Sequence, residues 1–196
     1  VFIATVPEDS ATGDLAEYYT KQRAAWGFLP NYAPAFSTRP DVAAAWNAMN
    51  HAVRDGMDRR RFEIATIAAA RELRSTYCTA AHSGFLRDVC GDEQAMLAIA
   101  GDPSGAGLDA VDQAVYTFSA KVARDAASVE QADVDAVRAV GLSDADIADI
   151  VFAAAARSFF ARVLDALGAR LDAQTAATFA PEVRTAMVVG RAPADD

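Results

Sequence analysis

"LSDADIADIVFAAAARSFFARVLDALG", residues 142–168, decides the fold class. Ser143 stands where a helix N-cap belongs, and Asp146 three residues later completes a capping box with aspartate in place of the usual glutamate. Gly168 supplies the stop. Between these ends Ile147, Ile150, Val151, Phe159, Phe160, Leu164 and Leu167 provide core bulk at helical spacing, and the alanines among them permit close helix contacts. A run of this length without period-two alternation is no strand. It predicts one long, well-buried helix.

The flanking sequence repeats the pattern. Leu108, Val111, Val115, Phe118 and Val122 recur at alternating intervals of three and four, the spacing of an amphipathic helix. "GDPSGAGL" at 101–108 reads as the turn before it, and "SVEQADVDAVRAVG" at 128–141 as a short helix after it. Toward the N-terminus a helix is expected over Gly13–Trp26, then the proline-interrupted "LPNYAPAFSTRP", then a helix in "DVAAAWNAMNHAVRDG" stopped by Gly56. Asp58 is placed to cap the next helix, which carries Phe62, Ile64, Ile67 and Leu73. Ser75 or Thr76 is placed to cap another that runs through Cys78, His82 and Phe85 to about Gly91. Beyond Asp172 a last helix is expected, followed by "GRAPADD", an acidic, proline-containing end of the kind that stays mobile. No stretch reads as a strand. The expectation is an all-α helical bundle: an N-terminal arm and helix over 1–40 packed on a core of 41–175, with a C-terminal extension over 176–196.

Charge and composition exclude several functions. The chain has 196 residues, enough to bury a full core, and a formal net charge of -9 from 27 acidic and 18 basic side chains. That balance opposes nucleic acid or an anionic membrane surface as a partner, and the single basic cluster, Arg59-Arg60-Arg61, is too short to reverse it. The apolar fraction is 53%, much of it alanine, and no run approaches the roughly 18 to 20 residues that cross a bilayer. No signal-like start is present, so a soluble, cytoplasmic protein is expected. Cys78 and Cys90 are the two cysteines, and His51 and His82 the two histidines. A disulfide scaffold and a multi-histidine metal site are both excluded, and Cys78, His82 and Cys90 match no ordinary zinc spacing. No cofactor and no metal are expected.

The chemistry concentrates in "RFEIATIAAARELRSTYCTAAH", residues 61–82. Cys78 and His82, four apart, share a helix face, so the imidazole can take the thiol proton and raise the thiolate fraction. A thiolate attacks a peroxide oxygen and becomes a sulfenic acid. A place in the first turn after Ser75 or Thr76 adds the favourable end of the helix dipole. Glu63 is the only charged residue from Phe62 to Ala70, and such a carboxylate is either exposed or paired. If paired with His82, it would orient the imidazole. Taken singly, each residue has a plainer role: a packed cysteine, a salt-bridged glutamate, surface Arg71, Glu72 and Arg74. His51, Tyr77 and the pair Phe159-Phe160 are further candidates for a pocket wall, although aromatic packing in the core explains the aromatics equally well.

This constellation resembles the alkylhydroperoxidase D-like branch of the carboxymuconolactone decarboxylase superfamily, in particular its peroxidase-related proteins. In that family a glutamate precedes a Cys-x-x-Cys-x-x-x-His motif by twelve residues. Here Glu63 matches the glutamate, Ser75 the first cysteine, Cys78 the second and His82 the histidine, with Tyr77 as the aromatic before the second cysteine. The resemblance extends over roughly residues 5 to 170. It implies an alkylhydroperoxidase D-like helical bundle that forms homo-oligomers. It also implies a peroxidase in which Cys78 is the nucleophile, His82 the base and Glu63 its relay partner, acting on hydrogen peroxide or a small organic hydroperoxide. The family regenerates the enzyme by an intramolecular disulfide from the first cysteine. Ser75 cannot form it, so an external thiol or protein reductant is required. Cys90, twelve residues beyond Cys78, would lie about 18 Å away on an unbroken helix, against the roughly 7 Å a disulfide tolerates. Ala161 stands where relatives commonly carry asparagine, with Arg162 keeping the charge beside it. Two other functions fit the same scaffold: proton transfer by His82 and Glu63 in the manner of a carboxymuconolactone decarboxylase, or a catalytically inactive redox-sensing or structural homo-oligomer.

Overall fold

In the computed structural model, which describes residues 1–102 and 104–195, every regular element is helical. The main helices are α1 (Gly13–Trp26), α2 (Pro40–Gly56), α3 (Arg59–Glu72), α4 (Thr76–Asp88), α5 (Glu93–Gly101), α6 (Ala110–Asp125), α7 (Gln131–Ala139) and α8 (Asp144–Ala166). Two short ones follow, α9 (Ala173–Ala176) and α10 (Pro181–Met187). Pro103 of the expected turn cluster and Asp196 of the expected tail lie outside the described residues.

The helix ends follow the local chemistry. Asp58 caps α3 by accepting a hydrogen bond from Arg61 N at 2.8 Å. Ser143 and Asp146 form the reciprocal box on α8, with Asp146 N donating to Ser143 Oγ at 3.2 Å and Ser143 N to Asp146 Oδ2 at 2.9 Å. Past the other end of α8, Gly168 has φ +77, and a Cβ there would come within 2.7 Å of the Phe2 ring. Only glycine suits both demands. Pro40 opens α2 at its first turn, where a missing N–H costs nothing.

Helix α3 is the hub. It packs against α6, α4, α8 and α2, and every residue from Phe62 to Ala70 is buried. A helix buried all round must be apolar or have its polar groups partnered. Its alanines Ala65, Ala68, Ala69 and Ala70 keep the neighbouring backbones close, while Ile64 and Ile67 fill the gaps between them. Outside this hub the N-terminal arm is pinned at several points. Tyr19 Oη donates to Val6 O at 2.8 Å, Asn31 N donates to Asp172 Oδ1 at 2.7 Å, and Phe2 N donates to Leu167 O at 2.8 Å.

Four expectations change. Helix α5 was not legible beforehand; Asp92 caps it through Ala95 N at 2.9 Å and Met96 and Ile99 anchor it in the core. Helix α4 ends at Asp88 rather than near Gly91, whose φ of +70 belongs to the turn that follows. Phe159, expected in the core, is 41% exposed and stacks on Trp46 with ring centroids 5.6 Å apart. Phe159 and Phe160 are adjacent and so project about 100° apart, and only Phe160 can face inward. The end segment expected to be free lies against the body: Ala194 N donates to Leu171 O at 2.8 Å and Arg170 Nε to Ala192 O at 3.2 Å.

Ala69 is wholly buried at the crowded centre of α3. Replacing it with leucine is expected to destabilise the protein by about 1–3 kcal/mol through overpacking. The same change at exposed Ala132 on α7 is expected to cost less than about 0.5 kcal/mol. Urea unfolding of the two variants checks the difference.

Candidate active site

The site begins with the charge that α3 buries. Glu63 is 0% exposed, and both its oxygens are engaged: Oε1 accepts from Arg59 Nε at 2.6 Å, and Oε2 meets His82 Nδ1 at 2.5 Å. Arg59 lies one turn earlier on α3 and is half-buried, so it reaches the carboxylate from the solvent side. His82 reaches it from α4. Burial alone would push the Glu63 carboxyl upward, but His82 and Arg59 outweigh it and hold it below its ordinary value. His82 is pushed down to about 4, first by burial and then by the nearby Arg157 guanidinium, against the opposing pull of Glu63. The imidazole is therefore neutral at ordinary pH. With an ionised carboxylate on Nδ1, the proton sits on Nδ1 and the Nε2 lone pair is left free to take another.

Cys78 lies one turn before His82 on α4 and is 2% exposed. Among the described residues, the polar contact to its sulfur comes from Arg157 Nη1 of α8, at 3.7 Å. Ser75 is the N-cap residue of α4, but its side chain makes no capping hydrogen bond; its buried hydroxyl lies by the half-buried Asp165 carboxyl of α8. The structure thus joins Glu63 to His82, sets Cys78 against Arg157, and leaves Ser75 three residues before Cys78 at the helix end. Cys90 lies beyond the end of α4 and both cysteines are free. The ten helical steps from Cys78 to Asp88 alone span about 15 Å, well beyond disulfide reach.

The remaining candidates separate clearly. The Tyr77 hydroxyl donates to the buried Asp172 carboxylate, which ties α4 to the chain after α8. His51 is exposed and lines a cavity of about 640 Å³ between α1 and α2, together with Tyr18, Gln22, Tyr32 and Asn47. A second cavity, of about 240 Å³, is lined by Glu63, His82, Arg59 and Phe62. The two share Ala25, Trp26, Asn50, Arg54 and Phe85 in their walls, so the outer space adjoins the one at His82. Cys78 lines neither. Arg162 is exposed and Ala161 fully buried. Among the described residues no cluster of three or more histidine, cysteine or acidic side chains is arranged for a metal, and no helix is long and apolar enough to cross a membrane.

Two site residues escaped the sequence reading. Arg59 stands four before Glu63, the spacing at which a helical ion pair forms. Arg157 is the sole charged residue between Asp149 and Arg162, the same isolation that singled out Glu63.

A buried glutamate–histidine pair lies next to a helical cysteine in an all-helical core, groups whose chemistry can move a proton or activate a thiol. Residues 40–102, which hold α2 to α5 and the whole of the Glu63-to-His82 segment, match the carboxymuconolactone decarboxylase family. The fold matches a peroxidase-related protein from Ralstonia eutropha JMP134 with an alkylhydroperoxidase D core, at TM-score 0.78 and 24% identity, covering 88% of this chain and 93% of that one. A peroxidase-related protein from Silicibacter sp. TM1040 matches at 0.73 and 24%, covering 89% and 91%. The debrominase Bmp8, in a cysteine-to-alanine form with 2,3,4-tribromopyrrole, matches at 0.73 and 16%, covering 89% and 94%. No curated protein matches the sequence. The chain shares the all-helical fold of these proteins, and its residues 40–102 carry the match to the carboxymuconolactone decarboxylase family.

The depressed His82 fixes a pH response. The unfolded chain binds a proton at His82 below about 6.5 that the folded protein refuses until about 4, so stability falls as pH drops through that window. The loss is expected to reach at most about 3 kcal/mol, from 1.36 kcal/mol per unit. Urea unfolding at pH values spanning this window is expected to show the decline in the wild type and a flatter profile in His82→Gln.

Proposed function

We propose that the protein is a one-cysteine, thiol-dependent peroxidase. The observation that carries this reading is the His82 Nδ1 contact to Glu63 Oε2 at 2.5 Å, one helical turn from Cys78. Neutral His82 takes the Cys78 proton, directly or through one water, while Glu63 holds the ring in its tautomer. The thiolate attacks the outer oxygen of a hydroperoxide. The S–O bond forms, the O–O bond breaks, and the departing alkoxide takes a proton delivered by His82 and leaves as an alcohol. Cys78 is then a sulfenic acid. With serine at position 75, a first external thiol condenses with it to a mixed disulfide and water, and a second thiol releases Cys78 and a disulfide.

The adjoining cavities, about 240 and 640 Å³, favour a small organic hydroperoxide over hydrogen peroxide, which would leave most of that space empty. A debrominase of the same fold holds a tribrominated pyrrole, a ligand of the size such a space admits. Met49 of α2 and Phe152 and Phe159 of α8 are exposed apolar side chains on two helices that pack together, and a second copy of the chain is the partner we assign to them.

One observation favours a second reading. His82 and Glu63 line the inner cavity and Cys78 does not. In that arrangement His82 is a base toward a carbon acid, as in a lactone decarboxylase, and the cysteine is spectator. Substitution separates the two. Hydroperoxide consumption with a small-thiol donor is expected to vanish in Cys78→Ala and to fall about 10–100-fold in Glu63→Gln, the usual cost of losing an orienting partner. Full hydroperoxide consumption in Cys78→Ala contradicts the peroxidase. Lactone turnover that survives Cys78→Ala and is lost in His82→Ala supports the second reading.

A further inference from the structure

Among the described residues, Arg157 is a buried cation without a carboxylate partner. It lies in the middle of α8 and is 3% exposed. Its guanidinium carbon sits 5.5 Å from the ring centre of Trp46 and 5.6 Å from that of Phe160. Nη2 reaches Asn50 Oδ1 at a long 3.5 Å, Nη1 reaches Cys78 Sγ at 3.7 Å, and Nε has no hydrogen-bond partner. The less buried arginines are better supplied: Arg54, Arg61 and Arg87 each have an acid, and Arg71 has a backbone carbonyl. Arginine does not shed its proton to escape burial. A guanidinium buried away from water requires an anion or several good acceptors.

The groups around it leave one place for that anion. On α4, His82 is neutral and Tyr77 is held in its protonated form by burial first and then by Asp172. From the arm, the Tyr32 hydroxyl is likewise kept protonated, chiefly by burial. Asn50 of α2 is uncharged. On α3, the Glu63 carboxylate is consumed by Arg59 and His82. The site's charges are thus Glu63 and Arg59, which pair, Asp172, which is held by the Tyr77 hydroxyl and Asn31 N, and Arg157, which has no such partner among the described residues. Cys78 sulfur is the remaining group within reach that can carry a negative charge.

We propose that Arg157 is a catalytic residue, the counter-ion that holds Cys78 as a thiolate in the resting protein and keeps hold of the sulfur when it becomes a sulfenate. This rests on the assignment of Cys78 as nucleophile. It alters the division of labour at the site: His82 relays the thiol proton to water and returns to its neutral form, and Arg157 stabilises the charge left on the sulfur. The cation–π contacts to Trp46 and Phe160 hold the guanidinium in place beside the sulfur.

The test reads the thiolate itself, not turnover. In a Cys90→Ser background, ultraviolet thiolate absorbance at about pH 7 is taken as the difference between proteins with and without Cys78. The proposal expects a thiolate signal in the Arg157 protein. It expects a loss of about tenfold or more in thiolate population in Arg157→Gln, the effect of removing one unit of stabilisation, and substantial retention in Arg157→Lys. Absence of thiolate signal in the protein with Arg157 overturns the proposal even if Arg157→Gln does not fold, as does an undiminished signal in folded Arg157→Gln. A thiolate that depends on Arg157 in a protein with no peroxide turnover upholds the counter-ion and defeats the peroxidase.

Discussion

A carboxylate at the centre of a hydrophobic hub is the constraint around which the rest is arranged. Glu63 sits on a helix that packs against four others, among alanines and isoleucines that offer it nothing. An unpaired charge there would be worth several kcal/mol of destabilisation. It is tolerated because α3 brings Arg59 to one oxygen and α4 brings His82 to the other. The contact to His82 crosses from α3 to α4 and ties the two helices together at the histidine, one turn beyond Cys78. Structure and chemistry share this hydrogen bond.

The fold was legible because it is written in period and punctuation. The box at Ser143 and Asp146, the three-four spacing from Leu108 to Val122 and the cap at Asp58 each correspond to an element in place. What escaped was local geometry that spacing does not encode. Helix α5 is short and its core contacts, Met96 and Ile99, are too few for a pattern. Phe159 and Phe160 look alike in sequence, yet a helix can turn only one of them inward.

The site was legible in part. The twelve-residue interval from Glu63 to Ser75 and the Cys78-to-His82 spacing named the residues, and the structure joins Glu63 to His82. The contact made by Cys78 was not legible, because Arg157 lies 79 residues away on another helix and no local rule connects them. Its isolation in an alanine run was the available signal: a charge with no neighbour to solvate it on a helix that must be buried needs a partner across the core. Ser75 keeps its place at the head of α4, while the sulfur it might have resolved faces an arginine instead.

The central claim is that His82 is neutral, protonated on Nδ1 toward Glu63, with Nε2 open. Nitrogen NMR of selectively labelled imidazole, followed from about pH 8 down to about pH 5, tests it most directly. The account predicts for His82 a single neutral form with its proton on Nδ1 across that range, in keeping with a value pushed down to about 4. An imidazolium already formed near pH 7, or a proton resting on Nε2, would contradict it.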